Sequence, residues 1–296
     1  MAAREWIIRH GQAVDLSAGL VMGIINLTPD SFSDGGLYLD PPKALERAGQ
    51  LLNEGAGILD LGGESTRPGA DFTGEKTEQK RLLPVLHALV PLQDKTILSI
   101  DTWRSSTARL AMEKGARVIN DISGGLFDPD MPELLAQFRP GYILGHAPAP
   151  PKTMRKTPRY ADVVEDILDF FQRRLTALTK AGLPEERIVL DPGLGFGKTL
   201  EHNLDILRRI ERFQEFGLPL CVGASRKSFL GELLGLEQGP ARDQATQTLV
   251  ALLNARGVRV HRVHEARGAA LALKLQQATD ARVSPAPRLQ RSNQFT

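Results

Sequence analysis

Asp101, Asn120 and Asp191 each follow a short run of β-forming residues, Ile97–Ile100, Arg117–Ile119 and Ile188–Leu190. Polar residues that end parallel strands at one rim of an α/β fold face a common mouth. Acids there without obvious partners are costly unless a ligand brings the missing donors. Two carboxylates and a carboxamide suit a flat heterocycle that carries an amino group and ring N–H donors. A metal held by the two aspartates is the weaker alternative, because their strands are not neighbours. A purely structural role for all three is the blandest.

Positive charge collects at two later run ends. Pro219–Val222 leads into Gly223, Ser225-Arg226-Lys227-Ser228, and Val258–Val260 leads into Arg262-Val263-His264. Arg262 and His264, two apart on an extended segment, project to one side. With Asn26, which ends the run Val21–Ile25, they would form an anion cradle where the last and first strands meet. Two polar loops complete the set. Asn26–Gly36 carries Phe32, Asp34 and a Gly-Gly end, and Glu64–Gly69 carries Thr66, Arg67 and Pro68. Loops of this kind can close over an anionic ligand. The stretch Gly193-Leu194-Gly195-Phe196-Gly197-Lys198-Thr199 invites a phosphate-loop reading that fails, since Pro192 stands where the first glycine of that motif belongs. Its glycines instead predict a tight backbone turn that brings Phe196 beside the ligand.

The elements that must position these residues repeat as a β-branched run, a turn and an amphipathic helix. Helical patterns fit Pro42–Glu54, Glu75–Val90, Ser105–Lys114, Pro132–Phe138, Ala161–Ala181, His202–Phe216, Arg242–Arg256 and Glu265–Ala278. With a strand at Tyr142–Leu144, eight strands alternate with eight helices, which predicts a single (β/α)8 TIM barrel over residues 21–280. Residues 1–20 form an N-terminal extension in which Trp6–Arg9 and Val14–Leu16 pair and close the barrel bottom. Residues 281–296 lack periodicity and read as a flexible tail.

The chain has 296 residues, 42% hydrophobic and 24% charged, with a formal net charge of +2. That balance argues against nucleic acid as a partner, so any anion site must be local. The single cysteine, Cys221, excludes a disulfide framework and reads as a small buried residue in a cytoplasmic protein. No apolar stretch reaches membrane-spanning length. No helix shows an apolar stripe beyond what a core would use.

Taken in order, the segments Asn26–Gly36, Glu64–Gly69, Asp101-Thr102, Asn120–Gly124, Asp191-Pro192-Gly193 with Gly195–Lys198, Ser225–Ser228 and Arg262–His264 resemble the bacterial dihydropteroate synthases. That resemblance runs from about Val21 to Leu275. It implies the joining of 6-hydroxymethyl-7,8-dihydropterin diphosphate to p-aminobenzoate, with release of diphosphate, in folate biosynthesis. It also implies Mg2+ near Asn26, a homodimer and a target for sulfonamides. By resemblance, Asp101, Asn120, Asp191 and Lys227 hold the pterin, with Ile122 and Gly223 in the same pocket. Phe196 lines the aryl-amine side and Ser225 reaches the p-aminobenzoate end. Asn26, Arg262 and His264 hold the diphosphate, with Thr66, Arg67, Phe32, Asp34 and Pro68 on the two loops.

The chain departs from the family pattern at Gly145 and Ala224, where methionine is usual, and at Glu265, where aspartate is usual. Gly145 predicts extra space beside the pterin. Because Arg262 serves only the departing tail in this reading, Arg262→Ala should cut turnover and barely touch the stability of the unliganded chain. Two other readings stay open, a methyl-transferring pterin barrel that needs a corrinoid partner and a non-catalytic pterin-binding protein.

Overall fold

The computed structural model describes residues 4–28, 41–64, 73–150, 152, 154 and 159–280. Eight parallel strands run in chain order: β3 (Leu20–Asn26), β4 (Ile58–Gly62), β5 (Ile97–Asp101), β6 (Val118–Asp121), β7 (Gly141–Gly145), β8 (Ile188–Asp191), β9 (Cys221–Val222) and β10 (Val260–Val263). β10 pairs with both β3 and β9, and a bridge between Leu190 and Leu220 joins β8 to β9, so the sheet closes on itself. Helices α1 (Pro41–Asn53), α2 (Glu75–Leu89), α3 (Ser105–Glu113), α4 (Met131–Phe138), α5 (Val163–Ala181), α6 (Leu200–Arg208), α7 (Ser228–Leu234), α8 (Asp243–Ala255) and α9 (Ala266–Thr279) surround it. This is the expected TIM barrel.

The barrel interior is layered, and the layering follows from the two-residue period of strands. Its lowest layer takes one side chain from each strand: Met22, Ile58, Ile97, Val118, Ile143, Val189, Cys221 and Val260, all buried. A short antiparallel hairpin, β1 (Glu5–Ile7) with β2 (Ala13–Asp15), lies beneath it. Trp6, Ile8, Val14 and Leu16 of that extension join the same cluster, and the Trp6 indole N–H donates to Arg187 O at 2.7 Å. The extension is therefore the floor of the barrel, as its alternating apolar residues predict. Cys221 is buried there as expected, and burial pushes its thiol pKa well above the usual range.

Two residues up each strand, the chemistry changes. The next layer reads Ile24, Asp60, Ser99, Asn120, Gly145, Asp191, Gly223 and Arg262. Two further up come Asn26, Gly62, Asp101, Ile122, Ala147, Gly193, Ser225 and His264. In the upper layer Asn26 pairs with Gly62 and Gly62 with Asp101, and the register then steps down, with Asp101 opposite Asn120 of the layer below.

Three local expectations are corrected. The last strand spans Val260–Val263 rather than Val258–Val260, so Arg262 lies within the sheet. The predicted helix His202–Phe216 divides at Arg209, whose backbone (φ −112°, ψ 24°) leaves the helical region. The Arg209 guanidinium there bridges Asp162 and Glu165. The short helix α7 was not anticipated; seven residues after a basic turn carry too little periodicity to register.

Candidate active site

At the centre of the polar layer lies a buried charge cluster. Asp60 is fully buried. One of its oxygens accepts from Ser99 Oγ at 2.7 Å. The other accepts from Arg262 Nε at 2.7 Å and Asn120 Nδ2 at 3.1 Å. Arg262 Nη2 donates to Asp101 Oδ2, also at 2.7 Å. One guanidinium thus ties together carboxylates from β4 and β5, and Asn120 is oriented by the same aspartate. Burial alone disfavours the charge on Arg262, but Asp60 and Asp101 more than offset it and hold its pKa up. Burial pushes the Asp101 carboxyl up to about 7 against the pull of Arg262, with Asp60 adding to the rise.

Asp101 is not without a partner, because Arg262 supplies it. It follows that Arg262→Ala cannot be neutral for stability, since it would leave the buried Asp60 and Asp101 uncompensated. Asp60 itself was missed. It sits inside the run Ile58-Leu59-Asp60-Leu61, which reads as plain core; the available signal was its two-residue spacing from the inward-facing Ile58.

Asp191 shares the layer with Arg262, and its Oδ1 accepts from the Gly193 N–H at 2.8 Å. Burial raises its pKa. Next to it the glycine-rich loop turns through left-handed backbone at Gly193 (φ 71°) and Gly195 (φ 77°). A Cβ on Gly193 would stand 2.0 Å from His146 O, and one on Gly195 would stand 2.9 Å from Lys227 Cδ. Only glycine permits that approach. The result puts the Phe196 ring under the Lys227 ammonium, 3.8 Å from Nζ to the ring centroid.

At the upper rim the Ser225 hydroxyl accepts the His264 backbone N–H at 3.1 Å and lies 3.0 Å from His264 Nδ1. Arg47 donates to His264 O and fixes the backbone there. Gly223 lies against Arg262; a Cβ on it would be 3.8 Å from the arginine side chain. Asn26 Oδ1 and Asp101 flank Gly62, at 3.8 and 3.7 Å from the position of a Cβ. Phe32, Asp34, Thr66, Arg67 and Pro68 lie outside the described residues.

Gly145 does not widen the site. A Cβ there would meet Ile122 Cα at 2.7 Å and Asp121 O at 2.8 Å, so backbone already fills the space. Ile122 also packs with Ala147, Met154, Phe127 and Phe196. The expectation of a roomier pocket is overturned.

Residues 22–264 match the family described as pterin binding enzyme. A dihydropteroate synthase of Synechocystis sp. is 40% identical over 258 residues, 87% of this chain and 89% of that one. Among solved structures, a Yersinia pestis dihydropteroate synthase with a sulfonamide drug complex superposes with a TM-score of 0.87. It is 38% identical and covers 92% of this chain and 98% of its own.

The chain belongs to the dihydropteroate synthases.

A Xanthomonas albilineans dihydropteroate synthase with 4-aminobenzoic acid gives a TM-score of 0.85 at 35% identity, covering 95% of this chain and 99% of its own. In this dihydropteroate synthase Glu265, singled out as a departure from the family pattern, has a structural place. Its carboxylate accepts the Gly268 N–H at 2.9 Å and caps α9. A buried arginine missed in the sequence, Arg104, pairs with Glu64 at 2.8 Å and Glu78 at 2.9 Å. Glu64 also accepts the Thr73 N–H at 2.6 Å.

Proposed function

We propose that this chain condenses 6-hydroxymethyl-7,8-dihydropterin diphosphate with p-aminobenzoate to give 7,8-dihydropteroate and diphosphate. The observation that carries this reading is the direct contact of Arg262 with Asp101, an anion-binding and a ring-binding residue at one opening, the first of them anchored by Asp60.

Asp101, Asn120 and Asp191 take the pterin through its amino and ring N–H groups, and Lys227 lies along the ring. When ring donors replace the guanidinium on Asp101, Arg262 Nη2 is released toward the diphosphate while Nε stays on Asp60. His264, held by Ser225, lies at the same end of the site as Arg262 and serves the same tail. The amine nitrogen of p-aminobenzoate is a competent neutral nucleophile; it attacks the exocyclic methylene as the C–O bond breaks, then loses a proton. The electron pair of that bond leaves with the diphosphate, so catalysis consists mainly of stabilising charge on the departing group. Charge-assisted hydrogen bonds contribute about 1.5–3 kcal/mol each, and two of them accelerate departure on the order of a thousandfold.

Mg2+ is the ion the family implies. Among the described residues no three His, Cys, Asp or Glu side chains are grouped to hold a metal alone. Mg2+ commonly takes one or two protein oxygens and completes its shell with substrate phosphates and water. Asn26 Oδ1 suits that role, and the ion when bound neutralises diphosphate charge.

The extension and the barrel act as one catalytic unit in this reading, and two copies form a homodimer through the late helices; the expected tail, 281–296, lies outside the described residues. Leu233 and Leu234 on α7, Leu252 on α8 and Leu271 and Leu275 on α9 are all about half exposed or more. That surplus was not apparent from the sequence. We place the reaction in the cytoplasm, since Cys221 is a buried free thiol and the fold needs no oxidising compartment.

The test is a product assay. The chain supplied with both substrates should form dihydropteroate and diphosphate one for one. A chain that binds the pterin yet releases no diphosphate with p-aminobenzoate is the non-catalytic binder instead.

A further inference from the structure

The mouth of the barrel holds a cation that the mechanism above does not use. Lys198 ends the glycine-rich loop, and although part of the residue is exposed, its ammonium is surrounded by acceptors. Nζ donates to Gly193 O at 2.8 Å, lies 3.1 Å from His146 Nδ1, and reaches Phe196 O at 3.2 Å and His146 O at 3.3 Å. None of these is a carboxylate. An ammonium brings three N–H donors and a neutral amine two, so the set suits the charged form opposite a neutral imidazole. Burial, reinforced by the charge of Lys198, holds the His146 pKa well below its usual range, which keeps that ring neutral.

What Lys198 holds matters more than how it is held. The Gly193 N–H is the donor to the Asp191 carboxylate, at 2.8 Å. The His146 N–H donates to Asp191 O at 3.1 Å. Phe196 carries the ring under Lys227. One ammonium therefore fastens the carbonyls of Gly193 and Phe196 together and ties them to the residue that follows β7.

We propose that Lys198, held against His146, is a positioning residue for the ring subsite, fixing the loop from Gly193 to Lys198 and through it the Asp191 carboxylate and the Phe196–Lys227 pair. This rests on the reading of that subsite as the place of the pterin.

The groups that face Lys198 are His146 from the segment after β7, Asp191 from β8 and Lys227 at the start of α7; the Tyr160 ring lies tilted against His146, 6.2 Å between centroids. Burial pushes the Lys198 pKa down to about 7, with Asp191 pulling it up and Lys227 pushing it down. As pH rises through that value, the side chain loses one donor and its charge, and the loop loses a tie. Asp101 acts on the other limb, because it loses its acceptor charge as pH falls through about 7.

The experiment is calorimetric binding of 6-hydroxymethyl-7,8-dihydropterin to the full chain from about pH 5.5 to about pH 9, corrected for the free pterin's own titration. It compares wild type, Lys198→Arg and Lys198→Met, each confirmed folded by its melting transition. Wild type should bind about tenfold more weakly on the alkaline side. Lys198→Arg, permanently charged, should lose that alkaline limb. Lys198→Met should lose it too and bind about tenfold more weakly throughout, and all three should share the acid limb. If Lys198→Met does not fold, the arginine variant decides. An alkaline limb unchanged in the folded variants overturns the proposal. A wild-type chain that binds no pterin at any pH overturns instead the reading of the site, and one that binds but yields no dihydropteroate overturns only the proposed reaction.

Discussion

A single aspartate organises most of the ring-binding end of this site. Asp60 accepts from Ser99, Asn120 and Arg262, and no water-accessible surface remains on it. Asp60→Asn keeps the shape and removes the charge. It should lower kcat/KM at least about tenfold while the chain stays folded, since Arg262 and Asn120 both lose their fixed reference. Wild-type kcat/KM in a folded Asp60→Asn would show that this anchoring is dispensable. Arg262→Ala should cost about 3–5 kcal/mol of unfolding free energy, because two enclosed carboxylates lose their counter-charge; denaturant titration measures it. Asp101, Asn120, Asp191, Lys227, Arg262 and His264 were legible because each follows closely on an apolar run. Asp60 was hidden for a physical reason: strands buried on both faces read as continuous apolar runs, and one charge inside such a run looks like an exception rather than a hub.

At the scale of elements, the two-residue period of eight strands sorts the interior into an apolar floor and two polar layers above it. Trp6 belongs to that floor. Trp6→Ala should destabilise the fold by about 3–5 kcal/mol, and activity per folded molecule should hold, because the floor and the mouth are separated by a full layer. Activity per folded molecule that falls in step with stability would mean that the floor transmits strain to the site. Gly193 makes the opposite point, since its backbone is left-handed and pressed on His146 O. Gly193→Ala should cost about 2 kcal/mol or more and weaken pterin binding, readable from denaturant titration and calorimetry together. The alternation of strand and helix was legible from hydrophobic period and glycine stops. The start of the last strand and the break at Arg209 were not, because each depends on contacts from distant segments, and helix α7 is too short to show a period. The space opposite Gly145 was likewise a tertiary fact: only the approach of the β6 backbone decides whether a missing side chain leaves a void.

The whole molecule brings groups far apart in the chain to one opening, with Arg262 and Asp60 separated by 202 positions and joined at 2.7 Å. On the outside, the exposed leucines of α8 and α9 predict a dimer that Leu271→Arg with Leu275→Arg should turn into monomers in sedimentation. Unchanged sedimentation would place the interface elsewhere. The central claim is that ring-binding acids and tail-binding cations meet at Arg262. The most direct measurement compares the affinity of Arg262→Gln and wild type for the pterin diphosphate and for the same pterin carrying only a hydroxymethyl group. The account predicts at least about a tenfold loss for the diphosphate and little or no loss for the alcohol. Equal losses for both compounds would contradict it.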